Sequence, residues 1–152
     1  MANAYASTVI DAPIECVWKN VRDFNGLPGW IPMVSDSEIE DGREPGSIGC
    51  IRSFHLDDGS HVRERLLALD DHNHTLVYKF ETPAFPVKDY LAEISLLPVS
   101  SHDQTYIQWQ ASFEESPEDR GKYEKIVSEG VSAAGLAALA ERMADLRKDM
   151  SG

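Results

Sequence analysis

Gln104-Thr-Tyr-Ile-Gln-Trp-Gln-Ala-Ser-Phe-Glu-Glu-Ser-Pro-Glu-Asp119 is the stretch that decides the fold. Its first part alternates strictly: Thr105, Ile107, Trp109, Ala111 and Phe113 form one face, and Tyr106, Gln108, Gln110 and Ser112 the other. Successive side chains of a strand point to opposite sides, so the first set faces a core and the second faces water. The end of the stretch changes character. Ser116-Pro117-Glu118-Asp119 is a helix start, with proline in the first turn and acids beside the positive helix end. From there to about Met150 the sequence reads as one Ala-rich helix, with Tyr123, Ile126, Val127, Val131, Ala134, Leu139 and Met143 along one face. Gly121, Gly130 and Gly135 each cost a helix about 1 kcal/mol relative to alanine, which points to a packing reason for them.

Upstream, turn chemistry divides the chain into strands. Val34–Glu40, Ser47–His55, His61–Leu69, Thr75–Glu81 and Val87–Leu97 are separated by Asp-Gly, Pro-Gly, Asp-Asp and Pro signals. The turns are too short for parallel crossovers, so these strands and Gln104–Phe113 are antiparallel neighbours. Tyr5–Ile10 is a further strand, making seven. Asp11 reads as the N-cap of a helix that opens with Pro13 and carries Ile14, Val17, Trp18 and Val21 on one face. Asn25-Gly26 and Pro28-Gly29 break it, and Leu27, Trp30 and Ile31 pack as a short second helical turn. Strand, two short helices, six strands and a long helix make an α+β architecture.

The length of 152 residues suits one domain, 1–152, with no repeat or linker dividing it. Fourteen basic against 26 acidic residues give a net charge of −12. That balance excludes nucleic acid as a partner, since phosphate binding needs a basic face, and disfavours anionic membrane surfaces. No apolar run approaches the ~20 residues of a membrane span, so no membrane insertion is expected. The start Met1-Ala-Asn-Ala-Tyr-Ala has no basic or apolar leader character, and two cysteines, Cys16 and Cys50, form no disulfide framework. A cytoplasmic protein with reduced thiols is the expectation.

Exceptions to the strand pattern carry the chemistry. By parity, Ile48, Cys50, Arg52, Phe54 and Leu56 share one face, and Val62, Glu64, Leu66 and Ala68 share another. That places Arg52 and Glu64 on apolar faces of adjacent strands, where ionised groups are costly unless paired. An Arg52–Glu64 pair inside the protein is the simplest resolution; a structural ion pair and a ligand-anchoring or catalytic pair both remain open. Lys88 shares parity with Tyr90 and is expected to point inward near the rim. His55 and His61 flank a hairpin and are either an acid/base pair or solvated loop residues. His72 and His74 read as turn residues. No metal-ligand spacing, phosphate loop or nucleophile elbow is present, so no metal and no cofactor is expected.

Several motifs in this order resemble the START-like (SRPBCC) superfamily, closest to its small bacterial polyketide cyclase/dehydrase-like branch and related to birch-pollen-type allergens and plant abscisic acid receptors. They are Ile10-Asp-Ala-Pro13 with Val17-Trp18, Phe24-Asn-Gly-Leu-Pro-Gly-Trp30, Gly46-Ser-Ile-Gly-Cys-Ile-Arg52, Arg63-Glu-Arg-Leu-Leu-Ala-Leu-Asp70, Pro86-Val-Lys-Asp-Tyr90 and Trp109-Gln-Ala-Ser-Phe-Glu114. The resemblance covers residues 4–145. It implies a helix-grip fold, in which the antiparallel sheet wraps the C-terminal helix and leaves a ligand cavity. Glu64, Tyr90, Ala92 and Trp109 match pocket positions of the abscisic acid receptors. Their ligand-anchoring lysine falls at Pro32, which argues against the same hormone-type ligand.

Parity, the helix face and the resemblance together give a candidate lining of Trp30, Arg52, Phe54, Glu64, Leu66, Tyr78, Phe80, Tyr90, Ala92, Trp109, Tyr123 and Val127. The reading that follows is a binding or carrier protein for a small hydrophobic molecule: a lipid, a polyketide or an aromatic. The alternative is a polyketide cyclase- or dehydratase-like enzyme in which Glu64 and Arg52 supply acid–base chemistry and stabilise an enolate. A third is an interaction protein whose cavity is filled, which the small residues Ala92, Ala111, Gly130 and Ala134 oppose. Either a monomer or a homodimer is compatible with the sequence.

Overall fold

The computed structural model describes the backbone of residues 1–151 and the side chains of residues 1–147. Seven antiparallel strands form one sheet in the order β1-β7-β6-β5-β4-β3-β2. They are β1 (Ala2–Ile10), β2 (Val34–Ile39), β3 (Ile51–Leu56), β4 (His61–Asp70), β5 (Thr75–Thr82), β6 (Lys88–Val99) and β7 (Gln104–Glu114). α1 (Ile14–Arg22) follows β1, and a single 3-10 turn at Leu27–Gly29 stands where a second short helix was expected. The sheet curls around a C-terminal helix, the helix-grip arrangement of an α+β fold.

The alternation of β7 holds along its length. Thr105, Ile107, Trp109, Ala111 and Phe113 are all buried. Tyr90, Ala92, Ile94 and Leu96 of β6, and Leu76 and Tyr78 of β5, continue the same floor. Edge strand β1 would offer unpaired N–H groups to any passing chain. Two of them are occupied: Asn3 N–H donates to Glu124 Oε2 and Tyr5 N–H to Ser128 Oγ.

The C-terminal helix differs from the expected single α-helix. Ser116 and Pro117–Asp119 form only a 3-10 turn, and Gly121 takes a left-handed conformation (φ 83°) before the helix proper. Helical residues then run as α2 (Lys122–Lys125), a π-helical segment (Ile126–Ala133) and α3 (Ala134–Ser151). A π turn carries extra residues, so the buried stripe steps from Val127 to Ser132 before resuming at Leu136, Leu139 and Met143. Ile126 and Ala134, expected on the buried face, are exposed for this reason. Gly135 has the packing reason anticipated for it. A β-carbon there would sit 2.7 Å from Trp109 Cζ3 and 3.0 Å from Ile31 Cδ1, whereas one at Gly130 would meet nothing.

Four further expectations are corrected. Asp11 does not cap α1; the helix begins after Pro13 with no side-chain cap, and Asp11 lies near Arg147. Ser47–Cys50 is a turn rather than strand, so Ile48 is 56% exposed. Register shifts between Leu66 and Ala68, putting Ala68 outside and Leu69 against the core. A second shift between Lys88 and Leu91 turns Lys88 out to solvent. An extra residue in one strand reverses the parity of what lies beyond it.

Two clamps fix the helices around the open side of the sheet. Asp71 accepts from Trp18 Nε1 at 2.8 Å and from Arg22 Nε at 2.7 Å, tying α1 to the β4–β5 turn. Arg142 donates to Gly29 O at 2.6 Å and to Asn20 Oδ1 at 2.8 Å, tying α3 to the 3-10 turn and α1.

Candidate functional site

Arg52 and Glu64 face one another across β3 and β4, as strand parity requires, and are only 4% and 5% exposed. Arg52 Nε donates to Glu64 Oε1 at 2.8 Å, and Arg52 NH2 lies 2.7 Å from the same oxygen. Its NH1 donates to Phe24 O at 3.2 Å, while the guanidinium carbon stands 4.1 Å from the Phe24 ring centroid and 4.8 Å from that of Tyr78. Stacking between rings offsets part of the hydration the cation gives up. Among the described residues no hydrogen bond reaches Glu64 Oε2. Burial raises the Glu64 carboxyl above its ordinary range, with Arg52 pulling it back only part of the way. The Tyr78 and Tyr90 hydroxyls are pushed well up, first by burial and then by the Glu64 charge.

This pair stands at a cavity of about 70 Å³ between the sheet, the 3-10 turn, the β5–β6 loop and the π segment. Its walls include Arg52, Phe54, Glu64, Phe80 and Trp109 from the expected lining. They also include Leu27, Ile31, Met33, Val34, Leu56, Val62, Ala84, Phe85 and Val131. A liquid water occupies about 30 Å³, so the space suits roughly two waters, well below the ~300 Å³ at which ligand pockets begin. Ile31, Met33 and Val131 also border an outer depression of about 330 Å³ reaching Pro32, Asp57, Ala134 and Gly135. These three side chains thus border both spaces.

Behind the walls stand the remaining expected residues. Leu66, Ala92 and Val127 are packed in the core. Tyr78 accepts a hydrogen bond from Trp109 Nε1 at 3.1 Å, and Trp30 tilts against Trp109 at 5.8 Å. The Trp30 Nε1 donor is buried with no hydrogen-bond partner among the described residues. Tyr90 stacks on Phe80 at 4.0 Å and on Phe113 at 5.6 Å; Phe85 bridges Phe80 to Tyr123 of α2.

His55 and His61 lie away from the chamber. They are exposed on the outer face and stack at 4.8 Å, with His55 Nδ1 2.9 Å from Asp36 Oδ1 and His61 Nε2 2.6 Å from Ser53 Oγ. Cys16 and Cys50 are free thiols. Among the described residues no three His, Cys, Asp or Glu side chains come together as metal ligands, and no helix is long and apolar enough to cross a membrane.

Met33, Ala84 and Phe85 escaped the sequence reading because loops have no period. The one available signal was an aromatic, Phe85, set between Pro83 and Pro86. What fold and site define is a helix-grip protein with a small cavity, apolar on most sides and carrying one buried ion pair. The chain belongs to the polyketide cyclase / dehydrase and lipid transport family, whose model matches residues 1–144. Among solved structures it is similar to a protein from Thermobifida fusca determined by solution NMR, at 34% identity, with 93% of each chain covered and a TM-score of 0.84. XoxI from Bacillus cereus is 27% identical over 97% of this chain and 99% of its own, with a TM-score of 0.82. The di-domain ARO/CYC BexL of the BE-7585A biosynthetic pathway shares the fold at 16% identity, with a TM-score of 0.79, over 94% of this chain and 46% of its own.

Proposed function

We propose that this chain binds a small, largely apolar molecule with one hydrogen-bonding end, held in the inner chamber against Arg52 and Glu64. The observation carrying this is the Glu64 carboxylate, buried at the wall of an apolar cavity with one oxygen committed to Arg52 and the other, among the described residues, without a hydrogen bond. A donor on the ligand, such as a phenol or alcohol, satisfies that oxygen, and Phe54, Phe80, Phe85 and Trp109 take the apolar body. The chamber as it stands is too small for such a molecule, so binding enlarges it. Ile31, Met33 and Val131 are the side chains that must move, and Val131 sits in the π segment, a kind of irregularity frequent at functional sites.

A second reading, a cyclase or dehydratase, rests on the same oxygen. A carboxyl lifted above its usual range by burial beside an apolar cavity is suited to moving a proton, and Arg52 to stabilising the enolate that results. The family description and the BexL likeness make both readings members of one class.

Native mass spectrometry of freshly purified protein tests binding directly, with melting shifts for 2-naphthol and 1-dodecanol as probes. A co-purifying small molecule, or a probe that raises the melting temperature in wild type and not in Arg52→Met/Glu64→Gln, is the expected result. No bound mass and no shift with either probe would overturn the proposal.

A further inference from the structure

The Arg52–Glu64 pair is lopsided. Both short contacts from the guanidinium, Nε at 2.8 Å and NH2 at 2.7 Å, fall on Oε1. A bidentate pair engages both carboxylate oxygens and favours the ionised form on each. Here Oε2 takes no hydrogen bond among the described residues. It also keeps an open side, because the side-chain polar atoms sealed off there without a partner are Trp30 Nε1 and Ser132 Oγ. The space that Glu64 borders is the cavity of about 70 Å³. Apart from Arg52 its other walls are apolar, and the one ring N–H among them, on Trp109, is spent on Tyr78.

We infer that Glu64 Oε2 selects the ligand's polar end, accepting from a hydroxyl when bare and donating to a carbonyl when it carries a proton. The selection rests on the binding proposed above. It extends the ligands to two neutral classes on one apolar body: alcohols or phenols, and ketones.

Geometry makes the two forms interchangeable. A proton taken from solvent onto Oε2 leaves both Arg52 contacts on Oε1 in place, so the site turns from acceptor to donor without being rebuilt. An ionised carboxyl offers acceptors only, whereas a protonated one presents an O–H. A ketone has no donor. Against bare Oε2 two acceptors meet, and the buried charge loses its remaining access to water with nothing in exchange. A hydroxyl can give or take a bond and so suits both forms.

The surroundings bring this change within reach. Arg52 on β3 is the charged side chain facing the carboxyl, and Tyr78 on β5 and Tyr90 on β6 are the titratable groups near it. Leu27 of the 3-10 turn, Ala84 and Phe85 of the β5–β6 loop and Val131 of the π segment meet the cavity with apolar groups. Burial and the Glu64 charge push both tyrosines up, so they stay neutral while a carboxyl titrates. Burial raises Glu64 itself, with Arg52 opposing it. An apolar ligand body acts in the same direction as burial, since it takes the carboxyl further from water.

Protonation then enters affinity as a population. Above the folded value of Glu64, the protonated share falls about tenfold per pH unit, and the apparent dissociation constant of a ketone rises by the same factor. That of an alcohol stays level.

Two probes of one skeleton read this: 2-acetonaphthone and 1-(2-naphthyl)ethanol, neither of which ionises between about pH 5 and 9. Each is titrated calorimetrically into the full chain across that range, in two buffers of different ionisation heat so that protons are counted. The ketone's dissociation constant should rise at least about tenfold toward high pH, with uptake approaching one proton per ketone bound. The alcohol's should change less than about threefold, with no proton taken up. Glu64→Gln carries a donor and an acceptor at every pH, so both profiles should be level. The proton count in wild type separates the outcomes without the variant. A level ketone profile in wild type, an alcohol that follows the ketone, or a slope that survives in folded Glu64→Gln overturns the selection and leaves the binding reading standing. Binding of neither probe overturns both.

Discussion

Removing the charge on Arg52 and removing the charge on Glu64 should have opposite consequences, and pH should separate them. Two unit charges about 4 Å apart attract by about 4 kcal/mol at an effective dielectric near 20, whereas drying each ion costs several. Burial therefore outweighs pairing for Glu64, which is why its carboxyl is raised. A raised carboxyl contributes stability that is fully present below the unfolded value, near 4.3, and lost as pH rises through the folded value. Glu64→Gln keeps the shape and an oxygen for Arg52, so it should stay within about 2 kcal/mol of wild type at pH 7 and gain on it as pH rises. Arg52→Met instead leaves a lone buried carboxyl, raised further still. It should cost about 3–5 kcal/mol at pH 8, or roughly 6–20 °C in melting temperature for a domain of this size. At pH 4.5 only the lost Phe24 carbonyl partner and ring stacking remain, about 1–2 kcal/mol. Adding Glu64→Gln to Arg52→Met should restore most of the loss at pH 8. Urea unfolding followed by tryptophan fluorescence at pH 4.5, 6 and 8 reads all three variants. An Arg52→Met penalty equal at pH 4.5 and 8, or a Glu64→Gln penalty above about 3 kcal/mol at pH 7, would refute the reasoning.

Three other outcomes follow from local geometry. Gly130→Ala should stabilise by about 0.5–1 kcal/mol, while Gly135→Ala should destabilise by about 1–3 kcal/mol through Trp109 and Ile31, both read by denaturant midpoint. Ser132 is fully buried and, among the described residues, its hydroxyl has no hydrogen-bond partner, so Ser132→Ala should raise stability by about 1 kcal/mol in the same assay. Glu40 and Glu81 are held below the usual range chiefly by hydrogen bonds from Arg63 and Arg65. Their contribution is present above the unfolded value and lost as pH falls through the folded one, so Glu40→Gln with Glu81→Gln should flatten the acid side of a stability-against-pH curve below pH 5.

The order of elements was readable because β7 alternates without interruption and the helix signals at Ser116–Asp119 are dense. The Arg52–Glu64 pair was readable for a stronger reason: two charges on apolar faces of adjacent strands have few places to go. Lys88 and Ala68 were misplaced because a strand's period is two, and one inserted residue inverts everything beyond it. The helix face was misjudged at Ile126 and Ala134 because a 3.6-residue period does not describe a π segment. The size of the chamber was invisible, since it depends on how loop residues such as Met33 and Phe85 fold over the sheet.

The four register shifts, one between β2 and β3, two between β4 and β5 and one at the start of β6, bear on why there is a hollow at all. Extra residues bend and coil a sheet locally. A sequence with flawless alternation through Ala68 and Lys88 would build a flatter platform. Deleting Leu67 would restore the alternation of β4 at the expense of the local bend an extra residue gives a strand. Imperfect patterning is the form in which this chain encodes empty space.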